Sequence, residues 1–500
     1  MPASATSYYL SGAMFDFTVL GVGHVILGVT LTLDVVLTKH RPVSAVLWLA
    51  IVWAIPYGGT LAYLSFGIDR VRRGAADREM AKVIVARRAA LHPTFERLTI
   101  DYLHIDLTEL HDYPAAHIFR ATDAAVRPNL VYRGNRVQLL VEGDEFYPAL
   151  FEEVAKARSS VHLQTFIIGQ DRISRELLDL LIERRRAGVE CRLLYDRFGS
   201  MYAHLFGFFK GARAAGVEAC SISQANPLKG RFQINLRNHR KIAVIDGAVG
   251  FVGGINIHDG NVSKYSPGKP IRDYHAKLEG PAVTDLQFQF VEDWYFASRQ
   301  PPDRLLESKY FPELEAVGDA KVEVAPGGPE LKGHGLADAF FGAIVAAERS
   351  LTIVTPYFVP DEPIVQAIRY AAMRGVSVRL VLPKKSNHWY TGFAARALYT
   401  PLLRAGVRIF ERKPPFIHAK AMLVDGVYAM IGSANLDYRS LHLNFETNLE
   451  VADPGFVKDL SERVEEEVGQ SEEVSLERHE SRPLPRRLAE NFCYLFQPML

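Results

Sequence analysis

Cysteine is nearly absent. There are 3 in 500 residues, at 191, 220 and 493, with no close spacing. This excludes a disulfide-stapled fold and a cysteine-ligated zinc or iron–sulfur centre, and it suits a reducing compartment. An excess of either charge is missing too: 58 Lys and Arg stand against 57 Asp and Glu. The chain therefore lacks the basic surface on which general nucleic-acid binding rests, and no nucleic-acid partner is expected. No low-complexity tract occurs, which excludes a disordered scaffold. No Walker phosphate loop and no HExxH helix is present. With 48% hydrophobic and 11% aromatic residues, the chain is built to form cores, and its length implies about two to four domains.

Charge is also missing locally. Arg41 and Asp69 bracket 27 residues free of Asp, Glu, Lys and Arg. A helix of about 20 residues crosses the hydrocarbon of a bilayer, so this run reads as the stronger membrane span. A second uncharged run lies between Asp16 and Asp34 and contains His24. No Lys or Arg precedes Lys39, so the basic start of a signal peptide is absent and an uncleaved two-helix hairpin over residues 1–70 is expected. Lys39 and Arg41 lie in the loop, whereas Arg70, Arg72, Arg73, Arg78, Lys82, Arg87 and Arg88 follow the second run. That bias predicts a multi-pass protein whose remainder faces the cytoplasm.

The rest of the chain is internally duplicated. ARSSVHLQTFIIGQD from Ala157 matches AERSLTIVTPYFVPD from Ala347, and AAGVEACSI from Ala214 matches RAGVRIFER from Arg404, both at an offset of 190 residues. RAGVECRLLY from Arg186 matches RGVSVRLVLP from Arg374. A period this long is a copied domain rather than a solenoid repeat. Strands alternating with helices predict an α/β class with a largely parallel sheet covered on both faces. The expected order is a hairpin (1–70), a basic connector (71–130), a first lobe (131–315), a second lobe (320–467) and a tail (468–500).

The most specific signal is His239-x-Lys241-x4-Asp246 followed by Gly253-Gly254-x-Asn256. It recurs as His418-x-Lys420-x4-Asp425 followed by Gly432-Ser433-x-Asn435. Residues i and i+2 of a strand share a face, so each His points with its Lys. Asp246 and Asp425 have the opposite parity and end their strands, which suits a turn. Asn256 and Asn435 fall on the next strand, where an amide can donate to an anion. Two His, two Lys and two Asn around one point, without a carboxylate cluster for a metal, are built for a phosphate group. One neutral imidazole can attack phosphorus while a protonated one protonates the leaving oxygen. Each His needs an acidic orienter. Asp273, 34 residues after His239, and Glu446, 28 after His418, are the candidates by position.

These paired motifs resemble those of the phospholipase D superfamily, and the wider sequence resembles its bacterial cardiolipin synthases. The likeness extends to the Pro42…Trp48…Pro56…Gly58 segment, IRDYHAKLEGPAV, TPYFVPDE and GSANLDYRS…NFE. The resemblance implies two phospholipase D-like α/β/α lobes sharing one active site, no cofactor and no metal. It implies transfer of a phosphatidyl group from one phosphatidylglycerol through a histidine to a second, at the bacterial inner membrane. It places the catalytic set on His239, Lys241, Asp246, His418, Lys420 and Asp425, with Asn256, Ser433 and Asn435 on phosphate and Asp273 and Glu446 on the histidines. In relatives the first histidine is often the nucleophile, which assigns that role to His239 and acid–base work to His418; the reverse assignment stays open. Gly254 departs from the second copy, which has Ser433, so a hydroxyl is available from one lobe only. A membrane phospholipase D that uses water as acceptor is the alternative reading; a superfamily nuclease and a non-catalytic scaffold are disfavoured. Two apolar segments have open roles. Met201–Phe209 either packs on its own lobe or dips into lipid, and the helically spaced Leu488, Phe492, Leu495, Phe496 and Met499 either lie on a membrane or pack in a core.

Overall fold

The computed structural model describes residues 5–39, 42–67, 70–92, 94, 104–105, 113–123, 131–222, 237–329 and 335–500. The chain divides into two compact units, Met1–Arg73 and Gly74–Leu500. Much of the 71–130 connector, His111 included, lies outside the described residues.

In the first unit, helix α1 (Ala5–Thr38) contains Leu20–Thr38, the one helix among the described residues that is long and apolar enough to cross a membrane. The run after Arg41 is not the single span expected of it. It forms α2 (Pro42–Ala54), then a short helix Gly58–Ala62 and a π-turn Tyr63–Gly67. Pro56 removes a backbone donor at the break. A Cβ on Gly59 would stand 2.1 Å from the Ile51 carbonyl oxygen, so the bend needs glycine. The 13 residues of α2 rise about 20 Å, less than a bilayer's ~30 Å hydrocarbon core. The two stretches still pair as a hairpin. The Trp53 indole donates to Thr32 Oγ1 at 2.9 Å, the Tyr63 hydroxyl donates to Asp34 at 2.5 Å, and Leu31, Val35, Val52 and Tyr63 form a small core.

In the second unit a single sheet runs through both lobes. The first lobe supplies β1 (Val131–Val141), β2 (Ser160–Thr165), β3 (Glu190–Tyr195), β4 (Glu218–Ser221), β5 (Ile242–Ile245), β6 (Val249–Gly253) and β7 (Tyr274–Glu279). The second supplies β8 (Ala320–Gly327), β9 (Ser350–Val354), β10 (Ser377–Pro383), β11 (Arg408–Arg412), β12 (Ala421–Val424), β13 (Tyr428–Gly432), β14 (Glu446–Ala452) and the edge strand β15 (Ser471–Glu473). The spatial order is β15-β11-β10-β9-β12-β13-β14-β8-β1-β7-β6-β5-β2-β3-β4. Read outward from the β8–β1 seam, the two halves run in the same order, as a duplicated domain joined edge to edge must.

The sheet is mixed rather than largely parallel. Only β2-β3-β4 and β9-β10-β11 pair in parallel. The strands that follow the motifs are antiparallel hairpins, β5–β6 and β12–β13. Their turns explain this: Asp246 and Gly247 both have positive φ (52° and 67°), as do Asp425 and Gly426 (54° and 71°). Two successive left-handed residues make the turn whose twist suits a tight antiparallel hairpin.

Candidate active site

Each motif enters the structure just before a hairpin and lies against the other lobe. The His239 N–H donates to the Phe445 carbonyl at 2.9 Å, and the His418 N–H donates to the Arg272 carbonyl at 2.6 Å. The residues behind those carbonyls lead into β14 and β7, which occupy matching places in the two halves. As a result the acidic partners cross. His239 Nδ1 lies 3.0 Å from Glu446 Oε2, and His418 Nδ1 lies 2.6 Å from Asp273 Oδ2. Each histidine is held by the carboxylate of the opposite lobe, whereas spacing had grouped each with the carboxylate of its own.

Both carboxylates are fully buried, while the His239 and His418 side chains keep 12% and 14% of their exposure. With Nδ1–H donating to a carboxylate, Nε2 carries the lone pair on each ring. Lys241 Nζ donates to the His239 carbonyl at 2.6 Å, and Lys420 Nζ donates to the His418 carbonyl and lies 3.8 Å from Asp273. Phe166 packs edge-on to His239 at 4.9 Å, and Tyr357 edge-on to His418 at 6.1 Å.

Burial dominates the protonation balance. It pushes His418 down to about 3, helped by the Lys420 ammonium and opposed by Asp273. It also lowers His239, opposed by Glu446, with Lys241 and Lys420 both disfavouring a charged ring. His239 thus feels the lysine of the other lobe, as His418 feels Lys241. Lys241 falls to about 7 and Lys420 to about 8, again through burial. Burial would raise Asp273, but Lys420 and His418 outweigh it and the group ends below the usual carboxylate range. For Glu446 the same burial cost is outweighed by His239 and Lys241. The unliganded site holds neutral rings and ionised carboxylates.

Other residues of the motifs do different work from that expected. Asp246 and Asp425, grouped above with the catalytic set, stand at the far ends of β5 and β12, about 16 Å of strand from the lysines. Asp246 accepts the backbone N–H groups of Arg158, Ser159 and Ser160, and Asp425 those of Glu348, Arg349 and Ser350, at 2.7–2.9 Å. They tie the hairpin turn to the start of the neighbouring antiparallel strand, β2 or β9. Ser433, expected on phosphate, is fully buried, and its hydroxyl donates to Glu446 at 2.6 Å. It braces the carboxylate that holds His239. Its counterpart is glycine for a steric reason: a Cβ on Gly254 would stand 2.2 Å from Asp273 Oδ1. Asn256 accepts the Ile167 N–H through Oδ1 at 3.1 Å, leaving its amide nitrogen as the group able to donate, and Asn435 lies 3.1 Å from Ser440 Oγ.

One functional cluster has no counterpart in the motif reading. Arg240, between His239 and Lys241, is completely buried and meets Asp293 at 3.0 Å. Asp293, on the helix Val283–Ser298, also accepts from Asn238 at 3.2 Å and Gln164 at 2.6 Å and pairs with Arg78. Asp293 therefore anchors the residues on both sides of His239. Stripping a buried charge of its partner costs about 3–5 kcal/mol, so the network fixes the segment firmly. Strand parity carried the signal: Arg240 faces opposite to His239 and Lys241, and a buried arginine needs a buried acid. Arg78, counted above among the basic residues that follow the second uncharged run, is spent here.

The comparisons with known proteins agree in their direction. A family model described as "Cardiolipin synthase, PLD-like domain" matches residues 150–266 and 341–468, one segment in each lobe. The chain is 34% identical over 502 residues to a cardiolipin synthase of Geobacillus kaustophilus, covering 98% of this chain and 96% of that one. It is 35% identical over 498 residues to cardiolipin synthase A of Pseudomonas aeruginosa strain LESB58, covering 98% of each. Among solved structures, phosphatidylserine synthase of Haemophilus influenzae shares the fold, with a TM-score of 0.55 at 14% identity over 73% of this chain and 95% of that one.

Proposed function

The chain belongs to the bacterial cardiolipin synthases of the phospholipase D superfamily, and from that membership we propose that it joins two phosphatidylglycerol molecules through a phosphohistidine. It is an enzyme of cardiolipin synthesis by phospholipase D-type chemistry, and its substrates are phospholipids. The observation that carries the finer reading is the crossed pairing of His239 with Glu446 and of His418 with Asp273, which makes the two imidazoles parts of one site.

In this reading His239 Nε2 attacks the phosphorus of one phosphatidylglycerol. The bond from phosphorus to the glycerol oxygen breaks, and that oxygen takes a proton from His418. The glycerol hydroxyl of a second phosphatidylglycerol then gives its proton to His418 and attacks the phosphohistidine. The phosphorus–nitrogen bond breaks, cardiolipin leaves and both rings return to their first state. Neutral rings suit the attacking step, and the anionic phosphodiester favours charging the second imidazole. Lys241, Lys420 and the amides of Asn256 and Asn435 stabilise the charge on the phosphoryl oxygens. Phosphatidylglycerol alone should yield cardiolipin and glycerol when incubated with the purified protein. Phosphatidic acid as the main product would sink the transfer reading and favour hydrolysis.

A lysine whose pKa is lowered is charged below that value and neutral above it. With Lys241 at about 7 and Lys420 at about 8, kcat/KM for phosphatidylglycerol should fall about tenfold per pH unit between roughly pH 7 and 8, and more steeply above pH 8 where the second lysine also loses its proton. A profile that stays level to pH 9.5 would rule out charged lysines as the phosphate clamp. Gly254→Ser, which copies the second lobe into the first, should lower turnover at least about tenfold by pushing Asp273 off His418. Unchanged turnover would mean the carboxylate has room the contact distance denies it.

Residues 1–70 anchor the protein as a hairpin in the inner membrane, with both lobes in the cytoplasm. The apolar Leu20–Thr38 helix and the basic residues after position 69 support this. Protease added to intact spheroplasts should leave the lobes whole, and their digestion would reverse the orientation.

A further inference from the structure

Some exposed apolar groups of the second unit, such as Leu91, Tyr370 and Met373, stand apart, but others cluster where β3 and β10, strands in matching places of the two lobes, pass into the segments that follow them, and on a helix of the tail. After β3 comes the short helix Met201–Leu205, around which Phe198, Tyr202, Leu205 and Phe206 are 57–73% exposed. After β10 comes α3 (Trp389–Ala397), opened by Trp389 at 66% exposure. The helix α4 (Leu484–Tyr494) packs on α3 through Cys493 and Ala394.

Helix α4 is inside out. Its Glu490 is buried and paired with Arg482 and Arg486, while Leu484, Leu488, Phe492 and Leu495 form an outward row at 60–73% exposure. Single exposed hydrophobes need no explanation, but a contiguous row spaced three or four residues apart along a helix and its C-cap does. Cations accompany both patches: Lys210 in the first lobe and Arg486 and Arg487 in the second are exposed, and the Arg237 guanidinium lies 3.8 Å over the Phe198 ring. An apolar row flanked by arginines is the signature of a helix lying in the headgroup layer of an anionic bilayer.

Both patches adjoin a histidine. Asp196 accepts the N–H of Phe198 at 2.8 Å and that of Asn238, the neighbour of His239, at 3.0 Å. Beside Trp389, the His388 ring lies tilted against Tyr357 at 5.6 Å, and Tyr357 itself packs on His418.

We propose that these two patches, one on the first lobe and one formed by α3 of the second lobe with the tail helix α4, dock the catalytic unit on an anionic phospholipid surface, so that headgroups reach the histidines without leaving the bilayer. This rests on phospholipids being the substrates. Charge complementarity, with exposed cations beside each apolar patch, selects an anionic bilayer over a protein partner.

The chain has 4 tryptophans, of which Trp294 is fully buried. Full-length protein carrying Trp48→Phe and Trp53→Phe therefore reports on Trp389. In vesicles of brominated phosphatidylglycerol its emission should fall by at least a third relative to unbrominated vesicles, and Trp389→Phe in the same background should abolish the difference. No difference, or emission that follows protein density instead of bromination because a second copy covers the patch, overturns the proposal. As a second measure, Phe206→Glu and Phe492→Glu should each slow turnover of vesicular phosphatidylglycerol at least tenfold. Each should change turnover of a short-chain phosphatidylglycerol dissolved as monomers less than twofold. Equal losses on both substrates, or none on vesicles, overturn it. Quenching needs no turnover, so a protein that docks but makes phosphatidic acid would sink the transfer reaction and leave the docking in place.

Discussion

Alanine at His239 or at His418 is expected to lower cardiolipin formation at least about 10³-fold while leaving the protein folded. Both side chains remain partly exposed, so truncation opens little cavity. The two losses should differ in kind. An acid is needed only for a leaving group that cannot depart unprotonated. A phosphatidyl ester of p-nitrophenol leaves without a proton, so His418→Ala should regain a burst of nitrophenol on that substrate, whereas His239→Ala should not. A burst from His239→Ala alone would exchange the two roles. Near-normal activity in either variant would end the two-histidine mechanism.

The second large effect is expected at the buried acids. Glu446→Gln and Asp273→Asn keep shape and remove charge, and each should cost about 10²–10⁴-fold in kcat by losing the preferred ring tautomer and the support for a charged ring. The crossed hydrogen bonds make the assignment specific. On the nitrophenyl ester Asp273→Asn should behave like His418→Ala, and Glu446→Gln like His239→Ala. Combining Glu446→Gln with His239→Ala should add little to the single loss, because the two groups act as a unit. Phenotypes paired within a lobe, Asp273 with His239 and Glu446 with His418, would refute the crossing.

Much of this site could be read from spacing, and some could not. Matching segments in the same order in both halves imply a copied domain, and the sheet order repeats outward from the β8–β1 seam accordingly. The H-x-K spacing places His and Lys together because strands alternate. Spacing inside one half, however, says nothing about which half supplies a partner. The crossing arises from the segments before β7 and β14 lying against the opposite motif, a tertiary fact. The aspartates of the motif mark a limit of another kind. Their parity already pointed to a turn, while the motif grouped them with the catalytic residues; the backbone N–H groups they accept decide for the turn. Hydrophobicity alone misjudged the run after Arg41, because it does not register the bend at Pro56 and Gly59. Arg240 was legible in principle: it alternates with His239 and Lys241 in the segment leading into β5, and, buried there, it had to find an acid.

The exchange of acids between the halves has a consequence for how such a protein comes into being. A half made alone would own an imidazole without the carboxylate that aims it, and a carboxylate with nothing to aim. On the proposed mechanism, the portion emerging first during synthesis stays chemically silent until its sibling packs against it, so lipid chemistry begins only with complete assembly.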